Sequence, residues 1–170
     1  QTKSLKECYK DGDKRKNLIT YVKVEDKVCV MNKFKDVKSA TYNTVGNDQI
    51  ILRYADVLLM YAEACAKTND VNGANTALKL VRKRAGLADK TFAQSDLMLE
   101  IEHQCLLEFF GEGHRFDDLK RWYTTEEIKN IFTENEKQGA EYFQEKHKYY
   151  PIPSGELNNN DAMVQTELWR

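Results

Sequence analysis

Apolar residues recur at helical spacing through the middle of the chain. The first series has intervals of four, three, four and three residues and consists of Ile51, Ala55, Leu58, Ala62 and Cys65. This spacing puts side chains on one face of an α-helix, and Tyr54, Leu59 and Tyr61 widen that face. The pattern predicts a helix from about residue 51 to residue 67, because the turn-forming sequence Thr68-Asn69-Asp70 follows.

A second helix is predicted after Asp70, a residue type that caps helix N-termini well. Its apolar face is rich in alanine and consists of Ala74, Ala77, Leu78, Val81 and Ala85. Such small side chains let a neighbouring helix approach closely. Gly86 fits the end of this helix, since glycine accepts the left-handed backbone conformation that commonly follows a helix.

Three further helices are predicted in the next stretch of the chain. The third begins at a cap on Ser95 and is interrupted by Gly111 and Gly113; its apolar face comprises Met98, Ile101, Cys105 and Phe109. A short fourth helix is predicted across Phe116, Leu119 and Trp122. Thr124 and Glu127 have the spacing of a capping box, which predicts the start of a fifth helix.

The segments on either side of these helices have weaker patterns. Residues 18, 20, 22 and 24 alternate as in a strand, and residues 28–31 are expected to pair back with them across a turn at Glu25-Asp26-Lys27. After Gly139 the helical spacing fades. Residues 149–153 are expected to be extended because proline disfavours helix in the residue before it, and residues 158–161 are expected to form a loop.

We therefore predict a mainly α fold of stacked antiparallel helix pairs with loop-rich N- and C-terminal segments. The helix–turn–helix units near residues 51–85 and 96–123 are about the size of a tetratricopeptide repeat of roughly 34 residues. We expect one domain over residues 1–170. Within it, residues 1–50 are irregular with strand character, residues 51–137 are helical and residues 138–170 form an extended tail.

Composition narrows the choice of function. The 26 basic residues are balanced by 27 acidic ones, whereas a nucleic-acid-binding protein normally has a basic surplus. No apolar run approaches the roughly 20 residues that span a bilayer, and no signal peptide is visible. The four cysteines form no C-x-x-C pair; Cys65 and Cys105 fall on helix faces, while Cys8 and Cys29 either pair in an oxidising compartment or stay reduced.

Three ordered segments resemble the SusD/RagB family. They are LRYADVLLMYAEA at residues 52–64, LVRKRAGL at residues 80–87 and EFFGEGHRFDDLKRW at residues 108–122. The tail adds YPIP at residues 150–153, and Asp13 with Arg15 matches a weaker family feature. Where the family usually has a Glu-Arg pair before the third motif, this chain has Gln104 and Cys105, so a buried ion pair is expected to be missing there. The family's usual closing sequence is also replaced.

The resemblance implies a C-terminal portion of an outer-membrane lipoprotein exposed at the cell surface. Such proteins bind nutrients, commonly glycans, and hand them to a SusC-like TonB-dependent transporter. The resemblance implies no cofactor and no catalysis. An alternative from another class is a tetratricopeptide-like adaptor that binds only proteins, and membrane fractionation distinguishes the two. The sequence names neither the ligand nor the oligomeric state.

Charged residues of the family motifs are interpreted as structural. We expect them to form salt bridges and hydrogen bonds between helices, because the guanidinium group pairs with carboxylates through two parallel bonds; they are Arg53, Glu63, Arg82, Arg84, Glu112, His114, Arg115 and Asp118. The other interpretation makes them ligand contacts. For His114, a catalytic base is the alternative to a hydrogen bond across the corner between the third and fourth helices.

Sites for catalysis or metal binding have little support in the sequence. Glu100 and His103 form one Glu-x-x-His motif, whereas di-iron bundles need two such motifs. Glu108 and Glu112 are the best candidates for a hydrolase pair, but glycosidases place their carboxylates on opposite sides of the bond that is cut. Aromatic residues are candidate sugar-stacking platforms, although no residue is assigned as a ligand contact. These aromatic candidates are Trp122, Tyr123, Tyr142, Phe143, Tyr149, Tyr150 and Trp169.

Overall fold

The fold is mainly α-helical and built on packed helix pairs, as predicted. The computed structural model describes residues 5–24, 26–34, 46, 48 and 50–170. The α-helices among these residues are α1 (Leu5–Cys8), α2 (Tyr54–Lys67), α3 (Val71–Arg84), α4 (Gln94–Glu108), α5 (Arg115–Trp122), α6 (Thr125–Glu134) and α7 (Ser154–Asn159). The same residues contain strands β1 (Ile19–Val24) and β2 (Asp26–Met31) and 3₁₀ turns at Lys14–Leu18, Ala140–Tyr142, Glu145–Lys148 and Glu167–Trp169.

Contacts group the chain into two compact units, Lys3–Arg115 and Phe116–Arg170. The first contains the hairpin and helices α1 to α4, and the second contains most of α5 together with α6 and α7. The single domain expected over residues 1–170 stays a prediction.

The core of the first unit lies among α2, α3 and α4. The facing surfaces of α2 and α3 are rich in alanine, and Ala62, Ala66, Ala74 and Ala77 are all buried. Small side chains allow this close packing, which the short connection after Lys67 also favours. Larger side chains fill the remaining space at full burial, namely Leu59, Leu78, Leu97 and Ile101.

Helix α2 begins three residues later than predicted. The backbone of Arg53 is extended, and its N–H donates to Asp56 Oδ2 at 3.0 Å, so the helix starts at Tyr54. Ile51 lies before the helix and is 73% exposed. The predicted apolar face was therefore wrong in part, because the buried face carries two carboxylates with partners; it consists of Asp56, Leu59, Ala62, Glu63, Cys65 and Ala66.

Helix α4 begins one residue before its predicted cap at Ser95. Its N-cap is Ala93, and the hydroxyl of Ser95 donates to Asp96 Oδ1 at 3.1 Å. Two amide side chains attach the start of α4 and the residue Phe92 before it to the neighbouring helices. Asn75 Oδ1 accepts from the N–H of Phe92 at 2.7 Å, and Gln94 Nε2 donates to Ala66 O at the end of α2 at 2.7 Å.

The other predicted helix ends are confirmed. Asp70 Oδ1 accepts from the N–H of Gly73 at 2.9 Å at the start of α3, and Gly86 has a φ of 81° after its end. At the start of α6, the N–H of Thr124 donates to Glu127 Oε2 at 2.8 Å. The N–H of Glu127 donates in return to the Thr124 hydroxyl at 3.3 Å, which completes the capping box.

Backbone and apolar contacts attach the N-terminal segment to the helices. The N–H of Lys14 donates to Ala85 O at 2.8 Å, and a Cβ on Gly86 would lie 3.1 Å from Gly12 O, so this approach favours glycine. Tyr9, Ile19 and Leu107 form a buried apolar cluster. The buried Tyr9 hydroxyl donates to Leu107 O at 3.1 Å, and burial raises the pKa of Tyr9 to about 12.

The predicted hairpin is present. Strands β1 and β2 pair antiparallel, with Ile19 opposite Met31 and Val24 opposite Asp26. Asp26 and Lys27 were expected to form the turn, but both belong to β2. Glu25 lies outside the described residues. The side chain of Cys29 also lies outside them, so a Cys8–Cys29 disulfide stays a prediction. Cys65 and Cys105 are buried on helix faces, as expected.

The second unit contains an aromatic cluster. The ring of Phe143 meets Phe116 and Phe132 edge to face, with centroid distances of 6.5 and 5.2 Å. The amide of Gln165 joins two parts of the tail, since its Oε1 accepts from the N–H of Ile152 and its Nε2 donates to Ile152 O, both at 3.0 Å.

The tail is less extended than predicted. Residues 150–153 contain no regular helix or strand. Asn158 and Asn159, however, belong to α7 and not to a loop. The helix begins directly after Pro153, where the fixed φ of proline is compatible with a helix start.

Two leucines on α3 test the assignment of its buried face. We expect Leu78→Ala to lower the free energy of unfolding by about 2–5 kcal/mol, because Leu78 is completely buried and truncation leaves a cavity. Leu80→Ala is the matched control, since Leu80 is 46% exposed, and we expect a change of about 0.5 kcal/mol or less. Urea denaturation followed by circular dichroism measures both; equal losses would contradict the assignment.

Candidate functional site

The sequence around the end of α4 brings two glutamates to the same arginine. Glu108 is the last residue of α4, and the chain then turns at Gly111 and Gly113, whose φ angles are 78° and 87°. Glycine reaches this left-handed region without steric cost. Glu112 lies between the two glycines, and its carboxylate contacts Arg53, as does that of Glu108.

Charged and polar side chains from six segments surround these glutamates. We refer to this group as the charged cluster, and it consists of Asp13, Arg15, Lys33, Arg53, Asp56, Arg84, Gln104, Glu108, Glu112 and His114. All of its members lie in the first unit.

Glu108 is the centre of the charged cluster. Its side chain is 1% exposed, and its Oε1 accepts from Arg53 Nη1 at 2.5 Å and from Arg84 Nη2. Its Oε2 accepts from Arg15 Nη1 at 3.0 Å. Three arginines that are distant in sequence therefore converge on one buried carboxylate. Such charge-assisted bonds are roughly twice as strong as neutral ones.

Arg53 connects both glutamates to the end of α4. Its Nε and Nη2 donate to Glu112 Oε2 and Oε1 at 2.8 and 2.7 Å, which is the two-bond geometry that guanidinium groups favour. Nη2 also donates to Glu108 O at 2.8 Å. The guanidinium lies 5.0 Å from the centroid of the Phe109 ring, close enough for a cation–π interaction.

Lys33 caps α4 from the segment that follows the hairpin. Its Nζ donates to Glu108 O at 2.6 Å, to Phe110 O at 3.0 Å and to Glu112 Oε1. A cation at the C-terminal end of a helix satisfies unpaired carbonyls and is stabilised by the helix dipole. Burial lowers the pKa of Lys33, and Glu112 opposes that effect.

Both glutamates stay ionised near neutral pH. Burial by itself raises the pKa of Glu108, but the hydrogen bonds and charges of Arg53, Arg84 and Arg15 bring it below the ordinary value. For Glu112, burial is likewise outweighed by Arg53 and Lys33, so its pKa is lowered too. Neither carboxylate is therefore a proton donor of the kind that a glycosidase needs.

Gln104 joins two buried ion pairs along α4. Arg15 forms the first pair with Asp13 at 2.7 Å and donates to Gln104 Oε1 at 2.9 Å. Gln104 Nε2 donates to Glu100 Oε1 at 2.8 Å, and Glu100 pairs with Arg82. A glutamate at position 104 has no N–H to donate to Glu100, so the amide suits this position, where the family usually has a charged residue.

Several predicted residues lie outside the charged cluster but have partners. Arg82 donates to Ala88 O at 3.1 Å as well as pairing with Glu100. Arg115 pairs with Glu102 of α4 at 3.0 Å, a contact within the first unit. Glu63 pairs with Lys67 at 3.0 Å within α2, and Asp118 pairs with Arg121 at 2.8 Å within α5.

His114 faces α2. Its Nε2 lies 3.6 Å from Asp56 Oδ1, and its ring stacks on Phe109 with a centroid distance of 4.6 Å. The hydrogen bond expected across the corner between α4 and α5 stays a prediction. Among the described residues, no group of three or more histidine, cysteine, aspartate or glutamate side chains is arranged to hold a metal ion, and Glu100 is engaged by Arg82 and Gln104.

A cleft of about 260 Å³ borders the charged cluster. Its polar wall is formed by Arg15, Lys33, Arg53, Arg84 and Glu108, and Tyr9 and Phe110 also line it. Each of these charged groups already has a partner of opposite charge. The arrangement can hold segments of the chain together, but it presents no nucleophile with an adjacent base.

Six members of the charged cluster were not among the residues interpreted as structural from the sequence, namely Asp13, Arg15, Lys33, Asp56, Gln104 and Glu108. Glu108 lies in a family motif and was weighed only as a candidate hydrolase carboxylate. Gln104 was noted only as a departure from the family. Lys33 had no sequence signal, because nothing in the local pattern distinguishes it from an ordinary surface lysine.

The aromatic residues considered as sugar-stacking platforms differ in the exposed fraction of their side chains. Tyr142, Tyr149 and Tyr150 are 71%, 56% and 87% exposed. Phe143 belongs to the aromatic cluster of the second unit. Trp169 Nε1 donates to Tyr149 O at 3.1 Å, which ties the end of the chain to the tail. Trp122 and Tyr123 are half-buried.

Comparison with known proteins gives one family. The sequence model of the SusD family matches residues 9–169. No curated protein matches the chain significantly.

Solved structures of SusD-type proteins are similar over most of the chain. Surface glycan-binding protein A from Bacteroides uniformis has a TM-score of 0.73 and 25% identity over 98% of this chain and 40% of its own. A SusD superfamily protein from Bacteroides vulgatus has a TM-score of 0.62 and 31% identity over 69% of this chain and 27% of its own. A SusD-like protein from Bacteroides fragilis has a TM-score of 0.60 and 26% identity over 82% of this chain and 30% of its own. The chain thus spans well under half the length of these proteins.

Removing Arg53 tests the stability of the charged cluster. We expect Arg53→Gln to lower the free energy of unfolding by about 1–3 kcal/mol, because Glu108 and Glu112 each lose charge-assisted hydrogen bonds but keep other cationic partners. Lys79→Gln is the control, because Lys79 pairs with Asp89 on an exposed surface, where the loss is about 0–1 kcal/mol. Chemical denaturation measures both, and similar small losses would contradict a structural role for Arg53.

Acid should weaken the charged cluster. Because the pKa values of Glu108 and Glu112 are lowered on folding, their contribution is complete above the ordinary value of 4.5 and is lost as pH falls through the lower folded values. We expect the thermal midpoint to fall more steeply below pH 4.5 in the wild type than in Glu112→Gln. Glu126→Gln, on the exposed side of α6, should keep the wild-type slope. An unchanged slope in Glu112→Gln would contradict the assignment.

Proposed function

This chain belongs to the SusD family, and from that membership we propose that it is the C-terminal portion of a nutrient-binding subunit at the outer-membrane surface. The subunit captures a nutrient, with glycans the first candidate, and hands it to a SusC-like TonB-dependent transporter. The observation that carries the proposal is the structural likeness to a surface glycan-binding protein over 98% of the chain. The ligand, the transporter and the surface location remain part of the proposal.

In this proposal the helices serve as a rigid frame. The charged cluster uses its carboxylates and cations to join the N-terminal segment, α2, α3 and α4, as the pairing of Glu108 with Arg15, Arg53 and Arg84 illustrates. Breaking a buried ion pair in order to bind a ligand costs free energy, because it leaves a buried charge without its partner. Ligand contacts are therefore expected from other parts of the full-length protein, and no residue of the cluster is assigned to them.

The proposed mechanism is binding and release without covalent chemistry. Glu108 and Glu112 both bind Arg53 and both have lowered pKa values. A glycosidase requires one carboxyl group that stays protonated and a second one across the scissile bond. Incubation of the full-length protein with polysaccharides should therefore release no products.

The proposed location depends on the family and not on a membrane-spanning helix. Within the described part of the chain, every helix is too short or too polar to cross a bilayer. The proposed anchor is a lipidated cysteine upstream of residue 1, as the family resemblance implies.

Binding and transporter association test the proposal together. We expect the full-length protein to be retarded by at least one polysaccharide in affinity electrophoresis and to co-purify with a TonB-dependent transporter from solubilised outer membranes. Absence of both would overturn the proposal. Recovery in the soluble cell interior, with protein partners only, would favour the tetratricopeptide-like adaptor.

The Arg53→Gln variant tests whether the charged cluster is a structural frame or a ligand-binding site. We expect Arg53→Gln to bind the polysaccharide with wild-type affinity when the dissociation constant is referred to the folded fraction, because Arg53 is engaged with Glu108 and Glu112. Lys79→Gln serves again as control. A weaker affinity in Arg53→Gln alone, at equal folded fraction, would make the charged cluster a ligand site.

A further inference from the structure

The imidazole of His103 lies where α4 meets residues 9–15. Helical spacing puts positions 100, 103, 104 and 107 on one side of α4. Two of these positions bind residues 9–15 directly. Gln104 Oε1 accepts from Arg15 Nη2 at 2.9 Å, and Leu107 O accepts from the Tyr9 hydroxyl at 3.1 Å. His103 therefore belongs to the surface on which residues 9–15 pack.

One ring nitrogen of His103 has no hydrogen-bond partner within the described part of the chain. This nitrogen is Nε2, and it is shielded from solvent. A neutral imidazole can leave one nitrogen as a bare acceptor, whereas a protonated imidazole carries an N–H on both. Protonation thus places a donor without an acceptor, together with a positive charge, in a buried position. Both are costly there, so the packed arrangement favours the neutral ring.

The charges around His103 give an added proton little compensation. On its own helix the ring faces Glu100, which is already engaged in a buried ion pair. From residues 9–15 it faces Lys10, Asp13 and Arg15, and Arg15 already binds the carboxylate of Asp13. Burial lowers the pKa of His103 below its ordinary value of 6.5; the two carboxylates oppose this effect and the two cations add to it.

We propose that protonation of His103 detaches residues 9–15 from α4, so that this contact is a pH-sensitive switch built into the fold. The neutral ring is compatible with the packed segment, and the protonated ring is better hydrated once the segment has left. Detachment also removes Arg15 from Glu108 and so loosens the charged cluster. The switch acts within the frame and is independent of which nutrient the protein binds.

The sign of the pH dependence follows from linkage. Because the pKa of His103 is lowered on packing, the attachment is complete above the ordinary value of 6.5 and weakens as pH falls through the lower value of the packed state. Glu108 and Glu112 keep their charges until below pH 4.5, since their pKa values are lowered too. The loss due to His103 therefore begins at a higher pH than the loss due to the glutamates.

Hydrogen exchange of the full-length protein tests the proposal. Protection factors, corrected for the intrinsic exchange rates, are compared at about pH 7.5 and about pH 5.5, on either side of the ordinary histidine pKa. We expect the amides of residues 9–15 to lose several-fold of their protection at the lower pH in the wild type. In His103→Gln, whose side chain stays neutral, they should keep it. Equal losses in the two proteins would overturn the proposal.

Two references separate the switch from a general effect of acid. His147→Gln is the matched control, because His147 lies in the second unit beside Phe143 and Trp169, and it should lose protection at residues 9–15 as the wild type does. The amides of α3 should keep their protection in every protein. Loss of protection in α3 at the lower pH would indicate unfolding of the whole unit and would contradict a local switch.

Titration of the wild-type histidine rings by NMR needs no folded variant. The His103 ring, identified by the resonance that is missing from His103→Gln or by sequential assignment, should titrate with a midpoint below 6.5. Its titration should coincide with the loss of protection at residues 9–15. A His103 ring that becomes protonated while these amides remain protected would show that the segment stays attached, and the proposed switch would be wrong.

Discussion

The burial of the Glu108 carboxylate is the interaction on which the first unit depends. A carboxylate that is 1% exposed is tolerated only with close partners of opposite charge. Its partners, Arg15, Arg53 and Arg84, come from the N-terminal segment, the start of α2 and the end of α3. No one of these segments satisfies the carboxylate alone. Docking of each segment therefore favours docking of the others, and the packed helices become one frame with the N-terminal segment.

A cluster of this kind is suited to holding structure and poorly suited to chemistry. Catalytic groups need a pKa near the working pH and an unoccupied side toward the substrate. Glu108 and Glu112 have lowered pKa values, and Arg53 binds both. The role that we propose for the family motif that contains them is consequently structural. The presence of the motif identifies the protein class without indicating the ligand.

Local sequence patterns predicted the helices well and the long-range pairs poorly. Capping by Asp70 and Thr124 depends on neighbours three residues away and was readable from sequence. Glu108 and Arg15 are 93 residues apart, and Lys33 approaches α4 only because the hairpin directs the chain there. Such contacts follow from tertiary packing, which periodicity does not encode. Partners could be expected for the arginines of the motifs, but which carboxylate each one binds could not.

The error in the buried face of α2 has a physical cause. Helix α3 is amphipathic, so the spacing of its apolar residues identifies one buried face. Helix α2 carries apolar residues nearly all round, and spacing alone cannot say which of them are inside. Sequence reasoning chose a stripe that includes Ile51 and Tyr54, yet the buried side is the one where Asp56 finds Arg53 and His114. The charged partners of Asp56, and not the spacing of the apolar residues, determine which side of this helix is buried.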